Sequence, residues 1–216
     1  MEKYITKDGS TTYYNTEVLD HYHTKAGAKQ EAFEKHVKAL EITSVKNPII
    51  FDICFGLGYN SAATLDTIRE ATIYCFENDR KILEKILDLN ETFKNYKIIK
   101  TFIKNYLENN QTAYEENKIK LVMVFGDARQ EIKKIEEKAD FVFFAPFSPE
   151  KVPDMWTEEF FSDIFLKMKN NGRLSTYSYA RQVKENLKKA GFELKDGPIL
   201  HRRSPSLIAI KQVMST

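Results

Sequence analysis

Cysteine is nearly missing from this sequence of 216 residues: there are two, Cys54 and Cys75. Both sit in apolar, strand-like runs, and two isolated thiols build no disulfide framework, which points to buried side chains in a reducing compartment. Glycine and proline number only eight and six, which excludes fibrous and low-complexity architectures. No apolar run approaches the roughly 18 residues of a membrane-crossing helix. Residues 1–10 hold no apolar segment of the kind a secretion signal needs. An excess of one charge is lacking too: 33 Lys and Arg face 31 Asp and Glu, a net +2, too little to announce a nucleic-acid binder by itself. His21-Tyr22-His23 brings two imidazoles together with no cysteine or third histidine nearby, so no metal is expected. A nucleophile elbow is missing as well. What remains is a cytoplasmic globular chain with no membrane partner and the length of one domain.

The residues present read as alternating strands and helices. Lys3-Tyr4-Ile5-Thr6 and Thr11-Thr12-Tyr13-Tyr14 flank Asp8-Gly9, the signature of a hairpin closed by a two-residue turn. A helix is expected from about Ala28 to Leu40, before Asn47-Pro48 breaks the chain. Short apolar runs at Ile49–Ile53, Ile73–Phe76, Leu121–Phe125 and Phe141–Phe144 suit strands buried on both faces, and Arg173–Tyr177 is expected to be a fifth strand. Helices lie between them: one capped by Asn60 and reaching about Ala71, one capped by Asp79 with an Ile82, Leu83, Ile86, Leu87 stripe, and one capped by Thr157 that buries Phe160, Phe161, Ile164, Phe165 and Met168. The polar stretch Glu91–Asn117 is expected to be helical in part. Val183, Leu187 and Ala190 ride a further helix closed by Gly191, and Phe192–Leu194 with Leu207–Ile210 form a terminal antiparallel pair. This alternation implies a mostly parallel sheet with right-handed crossovers. Residues 1–46 are then a hairpin-and-helix extension, and 47–216 a Rossmann-like core, within a single domain over 1–216.

Three strand ends carry chemistry. Asp52-Ile53-Cys54-Phe55-Gly56-Leu57-Gly58-Tyr59-Asn60 joins the first core strand to its helix, and Gly56 and Gly58 remove side chains where the backbone turns tightly beside a ligand. Glu77 ends the next strand, where an acid accepts from both ribose hydroxyls of an adenosine moiety. Asp127-Ala128 follows the third. In such sheets the carboxyl ends of the strands share one crevice, so the three loops predict a nucleoside cofactor. NAD is the rival, but its fingerprint wants a third glycine where Tyr59-Asn60-Ser61 stand. The Asp-x-x-x-Gly-x-Gly spacing instead resembles the first motif of class I methyltransferases, with Cys54 in the place of a common glycine. This favours S-adenosylmethionine, in an α/β, Rossmann-like class I methyltransferase fold with the N-terminal extension.

A closer resemblance runs over nearly the whole chain. Thr6-Lys7-Asp8-Gly9-Ser10, Tyr22-His23-Thr24 with Gly27 and Glu31, Phe55–Asn60, Gly126-Asp127-Ala128, Phe147-Ser148-Pro149, Pro153-Asp154-Met155-Trp156-Thr157, Thr176-Tyr177-Ser178 and Ala190-Gly191-Phe192 are similar to the methyltransferase part of the MnmC family. The resemblance implies methylation of the amine of 5-aminomethyl(-2-thio)uridine at the tRNA wobble position, with S-adenosylmethionine as donor and tRNA as partner. This chain ends where the flavin-dependent oxidase domain of bifunctional members would begin, so no FAD is expected. By this likeness Tyr22, Asp52, Phe55, Gly56, Gly58, Tyr59, Asn60, Glu77, Asp127 and Ala128 form the cofactor site. Ala145, Phe147, Trp156, Tyr177, Arg202 and Arg203 form the substrate site. Tyr177, at the end of the fifth strand with Tyr179, either lines the mouth or packs in the core or rim. Trp156 either stacks a base or anchors its helix, and the arginines belong to a locally basic stretch from Arg181 onward with Lys184, Lys188, Lys189 and Lys195.

Two departures mark this member. Ala145-Pro146 stands where the family has Asp-Ala or Asp-Gly, so no catalytic acid or base is carried onto the chain. Gly197-Pro198-Ile199-Leu200-His201-Arg202-Arg203 replaces a glycine-rich basic segment. Alignment alone supplies roughly 7–11 kcal/mol of such a barrier, so the alanine slows methyl transfer rather than forbidding it. The alternatives are the same chemistry on another amine or RNA, and a catalytically impaired protein that holds cofactor or tRNA.

Overall fold

The computed structural model describes residues 1–89 and 93–212. An eight-stranded sheet dominates it. Its parallel centre comprises β4 (Ile49–Ile53), β5 (Ala71–Glu77), β7 (Ile119–Phe125), β8 (Ala139–Phe144) and β9 (Met168–Thr176). Antiparallel strands close both sides, β6 (Ala113–Glu116) on β7, and β11 (Leu207–Ile210) with β10 (Glu193–Asp196) on β9. The order is β10-β11-β9-β8-β4-β5-β7-β6. A second, three-stranded sheet at the N-terminus holds β1 (Glu2–Ile5), β2 (Thr11–Asn15) and β3 (Asp20–His21).

Side chains alternate across the central strands with a period of two and feed two cores. Ile50, Ile73, Cys75, Phe141 and Phe143 face one side. There they meet α2 (Tyr59–Thr67), α3 (Arg80–Leu87), α4 (Tyr96–Asn109) and the N-terminal helix, α1 (Ala28–Glu31) with its π-helical continuation Ala32–Lys38. Phe51, Ile53, Tyr74, Phe76, Val142 and Phe144 face the other, against α5 (Ala128–Lys134), α6 (Glu158–Leu166) and α7 (Arg181–Lys189). Strands covered on both faces need apolar residues at every position, which is why these runs do not alternate with polar ones.

Several expectations shift in detail. The first hairpin is joined by five residues, 6–10, rather than two, because Ile5 pairs with Thr11. Its loop is braced by Asp8, which accepts from the Thr6 and Ser10 hydroxyls and from the N–H groups of Ser10 and Gln30. Asn60 does not cap α2: the cap position is Gly58, in the left-handed region at φ 71°, while Asn60 lies inside the helix and turns to Asp52. That helix stops at Thr67, so Ala71 opens β5 instead. Met168 opens β9 and does not extend the stripe of α6. Asp79 and Thr157 cap their helices as expected, accepting from the N–H groups of Lys81 and Phe160. Of the stretch Glu91–Asn117, Glu91 and Thr92 lie outside the described residues, and the rest holds α4 and the unforeseen β6.

The register levels the strand ends. Ile53 pairs with both Phe76 and Phe144, Phe76 with Val124, and Phe144 with Thr176. The loops after β4, β5, β7, β8 and β9 therefore emerge side by side. Strand order reverses between β4 and β8, the position at which such sheets open a crevice.

Candidate functional site

A cavity of about 750 Å³ lies over these strand ends. Its floor is the loop after β4. Cys54, Gly56 and Gly58 all take left-handed conformations, at φ 65°, 56° and 71°, so the chain winds tightly enough to turn Phe55, Leu57 and Tyr59 into the core. A Cβ on Gly58 would meet the Phe55 ring at 2.6 Å. Cys54, half-buried at the cavity wall rather than inside a strand, bears this conformation without being glycine. Its thiol is pushed up by burial and does not ionise near neutrality.

Asp52 holds the loop from beneath. It is fully buried, accepting from Ser61 Oγ at 2.7 Å and Asn60 Nδ2 at 3.3 Å, and burial pushes its carboxyl up to about 7. Glu77 forms the adjoining wall. One of its oxygens accepts from Gly56 N–H at 2.7 Å, the other from the N–H groups of Asn78 and Asp79 at 2.8 and 2.9 Å. A carboxylate has about four lone-pair sites, so Glu77 is fixed in aim and keeps accepting capacity toward the cavity it lines. Burial raises its pKa. Asp127 caps α5 and is clasped by Arg129, whose guanidinium holds its carboxyl below the usual range. Tyr22 donates to Asp79 at 2.7 Å, receives from Asn15 Nδ2 at 3.1 Å, and sets its ring 4.9 Å from that of Phe147.

The far side is built from the loops after β8 and β9. Ala145 and Phe147 line it, and the Tyr177 hydroxyl donates to the Pro146 carbonyl at 2.9 Å. Arg202 reaches the same wall, but its guanidinium is spent on the carbonyls of Tyr177, Ser204 and Pro205. It ties loop to strand end.

Of the sixteen residues named from the sequence, ten line this cavity: Tyr22, Gly56, Asn60, Glu77, Asp127, Ala128, Ala145, Phe147, Tyr177 and Arg202. Asp52, Phe55, Gly58 and Tyr59 lie behind it as supports. Trp156 is a correction to the base-stacking option. It is 3% exposed, its N–H donates to the Phe147 carbonyl, and Phe144, Phe161 and Tyr177 surround its ring. It anchors the loop. Arg203 is exposed and outside the cavity lining.

The sequence did not foresee one wall. Glu31, Lys35 and His36 from the N-terminal helix line the cavity with His23. Glu31 and Lys35 pair at 2.6 Å with their side chains 13% and 5% exposed. Burial holds both imidazoles down to about 4, hence neutral near pH 7. His36 exchanges a hydrogen bond with Ser175 Oγ at 2.8 Å. The signal that marks this wall is a run of charge on the buried stripe of a helix, among Ala28, Ala32 and Val37. Among the described residues no group of side chains has the makings of a metal site, and no helix is long and apolar enough to cross a membrane.

Known proteins resemble this chain in sequence and fold. The family model for S-adenosyl-L-methionine-dependent methyltransferases matches residues 90–212. The tRNA 5-methylaminomethyl-2-thiouridine biosynthesis bifunctional protein MnmC of Campylobacter hominis is 32% identical over 164 residues, 70% of this chain and 24% of that protein. An uncharacterized protein of Methanocaldococcus jannaschii is 32% identical over 207 residues, 95% of this chain and 58% of that one. This chain therefore spans little more than half of one relative and a quarter of the other. The crystal structure of MnmC2 from Aquifex aeolicus superposes with a TM-score of 0.80 at 31% identity, over 96% of this chain and 69% of that one. The chain belongs to the S-adenosyl-L-methionine-dependent methyltransferase family, and within it is an MnmC-like methyltransferase domain.

Proposed function

We propose that the protein methylates the amine of 5-aminomethyl(-2-thio)uridine at the wobble position of tRNA, in the cytoplasm. The observation that carries this reading is the division of the cavity. Its β4–β5–β7 side has a glycine-walled turn, the fixed acceptor Glu77 and the Asp127-Ala128 helix start, which suit an adenosine. Its β8–β9 side, with Ala145, Phe147 and Tyr177, is left for the acceptor. The substrate comes from the MnmC relatives, which are named for 5-methylaminomethyl-2-thiouridine biosynthesis in tRNA.

These residues fit S-adenosylmethionine: Gly56 leaves the backbone bare, Glu77 has lone pairs to spare for ribose hydroxyls, and Asn60 and Ala128 complete the enclosure. When bound, the cofactor supplies a methyl group activated on a sulfonium. The chain's part is to bind, align and exclude water. Tyr22 and Phe147, packed edge to face, sit across the boundary between the two halves, and Tyr177 holds the Pro146 carbonyl to shape the acceptor side.

Ala145 favours a second reading, a protein that holds cofactor and tRNA without turnover, since a methyl group at that strand end neither steers nor deprotonates an amine. A methyltransferase for another amine or RNA is the third. Incubation with S-adenosylmethionine and undermethylated tRNA, followed by mass analysis of the nucleosides, separates them. The proposed function gives 5-methylaminomethyl(-2-thio)uridine. A different methylated nucleoside supports the third reading, and binding without any product supports the second.

A further inference from the structure

An amine that arrives protonated must shed a proton before its lone pair can attack carbon, so an amine methyltransferase gains from a base at the acceptor side of its cavity. The strand ends there offer none. Ala145 has no functional group, the Pro146 and Phe147 carbonyls already accept from Tyr177 and Trp156, and the Tyr177 phenol is a donor that burial keeps protonated.

The cavity's carboxylates are mostly committed. Glu77 is bound by three backbone N–H groups, Asp79 by Tyr22 and Lys81, Asp127 by Arg129 and Glu17 by Lys81. Asp20 is half-buried, holding the N–H of His21 and, at 3.5 Å, that of Ser148. Glu31 differs. One oxygen takes Lys35 Nζ at 2.6 Å, and the other has only the N–H of Thr24 at 3.4 Å. Burial alone would raise its pKa, but the Lys35 ammonium overrides this and keeps it low. The groups that face it are Lys35 and His36 on its own helix, His23 from the loop after β3, Tyr177 at the end of β9 and Arg202 from the last loop. It is an ionised carboxylate in a desolvated wall, where charge-assisted hydrogen bonds are strong.

We propose that Glu31 is the carboxylate that meets the substrate amine, orienting its ammonium and accepting its proton. The proposal rests on the amine-methylating reading above. The ammonium's proton passes to a Glu31 oxygen. The freed nitrogen lone pair then bonds to the methyl carbon as the carbon–sulfur pair returns to sulfur, leaving S-adenosylhomocysteine and a secondary ammonium, and Glu31 gives its proton to water. Lys35 is a positioning residue, keeping the acceptor ionised.

The test compares single-turnover methylation of 5-aminomethyluridine-containing tRNA by the parent, Glu31→Gln, Glu31→Asp and Asp20→Asn. S-adenosylhomocysteine affinity is measured alongside, with the preference for 5-aminomethyluridine over 5-hydroxymethyluridine in that complex. Glu31→Gln is expected to slow transfer by about 10²–10⁴-fold, to leave S-adenosylhomocysteine affinity within about threefold, and to erase the amine preference. Its rate should climb with pH as free amine accumulates, and Glu31→Asp should recover part of the loss. Glu31→Gln strands the Lys35 charge, so Glu31→Gln with Lys35→Met serves as a neutral pair and must be equally slow. A Glu31→Gln rate within threefold of the parent, an equal loss of S-adenosylhomocysteine affinity, or the large loss appearing in Asp20→Asn instead overturns the proposal. A parent that binds S-adenosylhomocysteine yet methylates no aminomethyluridine overturns the substrate reading first, and this role with it.

Discussion

Two buried carboxylates one strand apart do different work here. Asp52, beneath the loop, accepts from Ser61 and Asn60 and does not line the cavity. Glu77, bound by three N–H groups, lines it. Glu77→Gln would place an amide where Gly56 or Asn78 needs an acceptor, and would lose charge-assisted bonds to the ligand. The expected outcome is a loss of about 1–3 kcal/mol in S-adenosylhomocysteine affinity, the penalty for unmade buried hydrogen bonds. Calorimetry reads it directly. Unchanged affinity would remove Glu77 from the adenosine side. Both the tight turn and the acid were legible in the sequence, because glycine spacing and a strand-end carboxylate are local signals. The left-handed Cys54 was legible only as a substitution for glycine, and its position on the cavity wall was not.

At the scale of elements, local signals succeed where burial is total. The runs of β4, β5, β7 and β8 were readable because a strand covered on both faces is mostly apolar, whereas β9, Met-Lys-Asn-Asn-Gly-Arg-Leu-Ser-Thr, was legible only in its second half. β6, with sequence Ala-Tyr-Glu-Glu, is an exposed edge with no such mark, and β3 is two residues long. Trp156 illustrates the same limit: its ring could face a base or a core, and only the packing of α6 against β8 decides. The charged wall on the N-terminal helix escaped because a helix shows its stripe but not what the stripe will cover. That wall makes a prediction. In the unfolded chain His23 and His36 titrate near 6.5, while in the fold they are held to about 4. The unfolded state then binds more protons between those values. The stabilisation present above about 6.5 is lost as pH falls toward 4, on the order of 2–3 kcal/mol per imidazole. Asp52, pushed up to about 7, acts in the opposite sense over a similar range. The diagnostic is therefore the difference between parent and His36→Gln: melting temperatures from pH 7 to pH 4 should fall less steeply in the variant. Parallel curves would show that His36 is not held neutral.

For the whole molecule, charge is nearly balanced, and part of the basic C-terminal stretch is taken up in ion pairs: Arg181 with Glu185, Lys189 with Glu158, Lys195 with Glu193. Arg202 is occupied by carbonyls, so its removal would deform the cavity rim. Arg203, exposed beside it, is the cleaner probe. If tRNA lies across this rim, Arg203→Ala should weaken binding and flatten the log–log salt slope by about 0.7–0.9. Filter binding over a salt series tests this, and an unaltered slope moves the phosphate track to another face.

The cavity wall has one more consequence, for the timing of synthesis. Its residues run from Asn15 to Arg202, and the strand that follows Arg202, β11, inserts between β9 and β10. A ribosome adding roughly 5–20 residues per second needs several seconds to travel from the third strand-end loop to that last one. Throughout that interval the chain has all three motif loops and an incomplete enclosure, and once β9 is made its flank stays unpaired until β11 follows. The enclosure is therefore complete only once the last loop and β11 are in place. A message cut between Phe192 and Leu207 would yield a chain that bears every one of those motifs and has an unpaired β9 flank in place of a finished pocket.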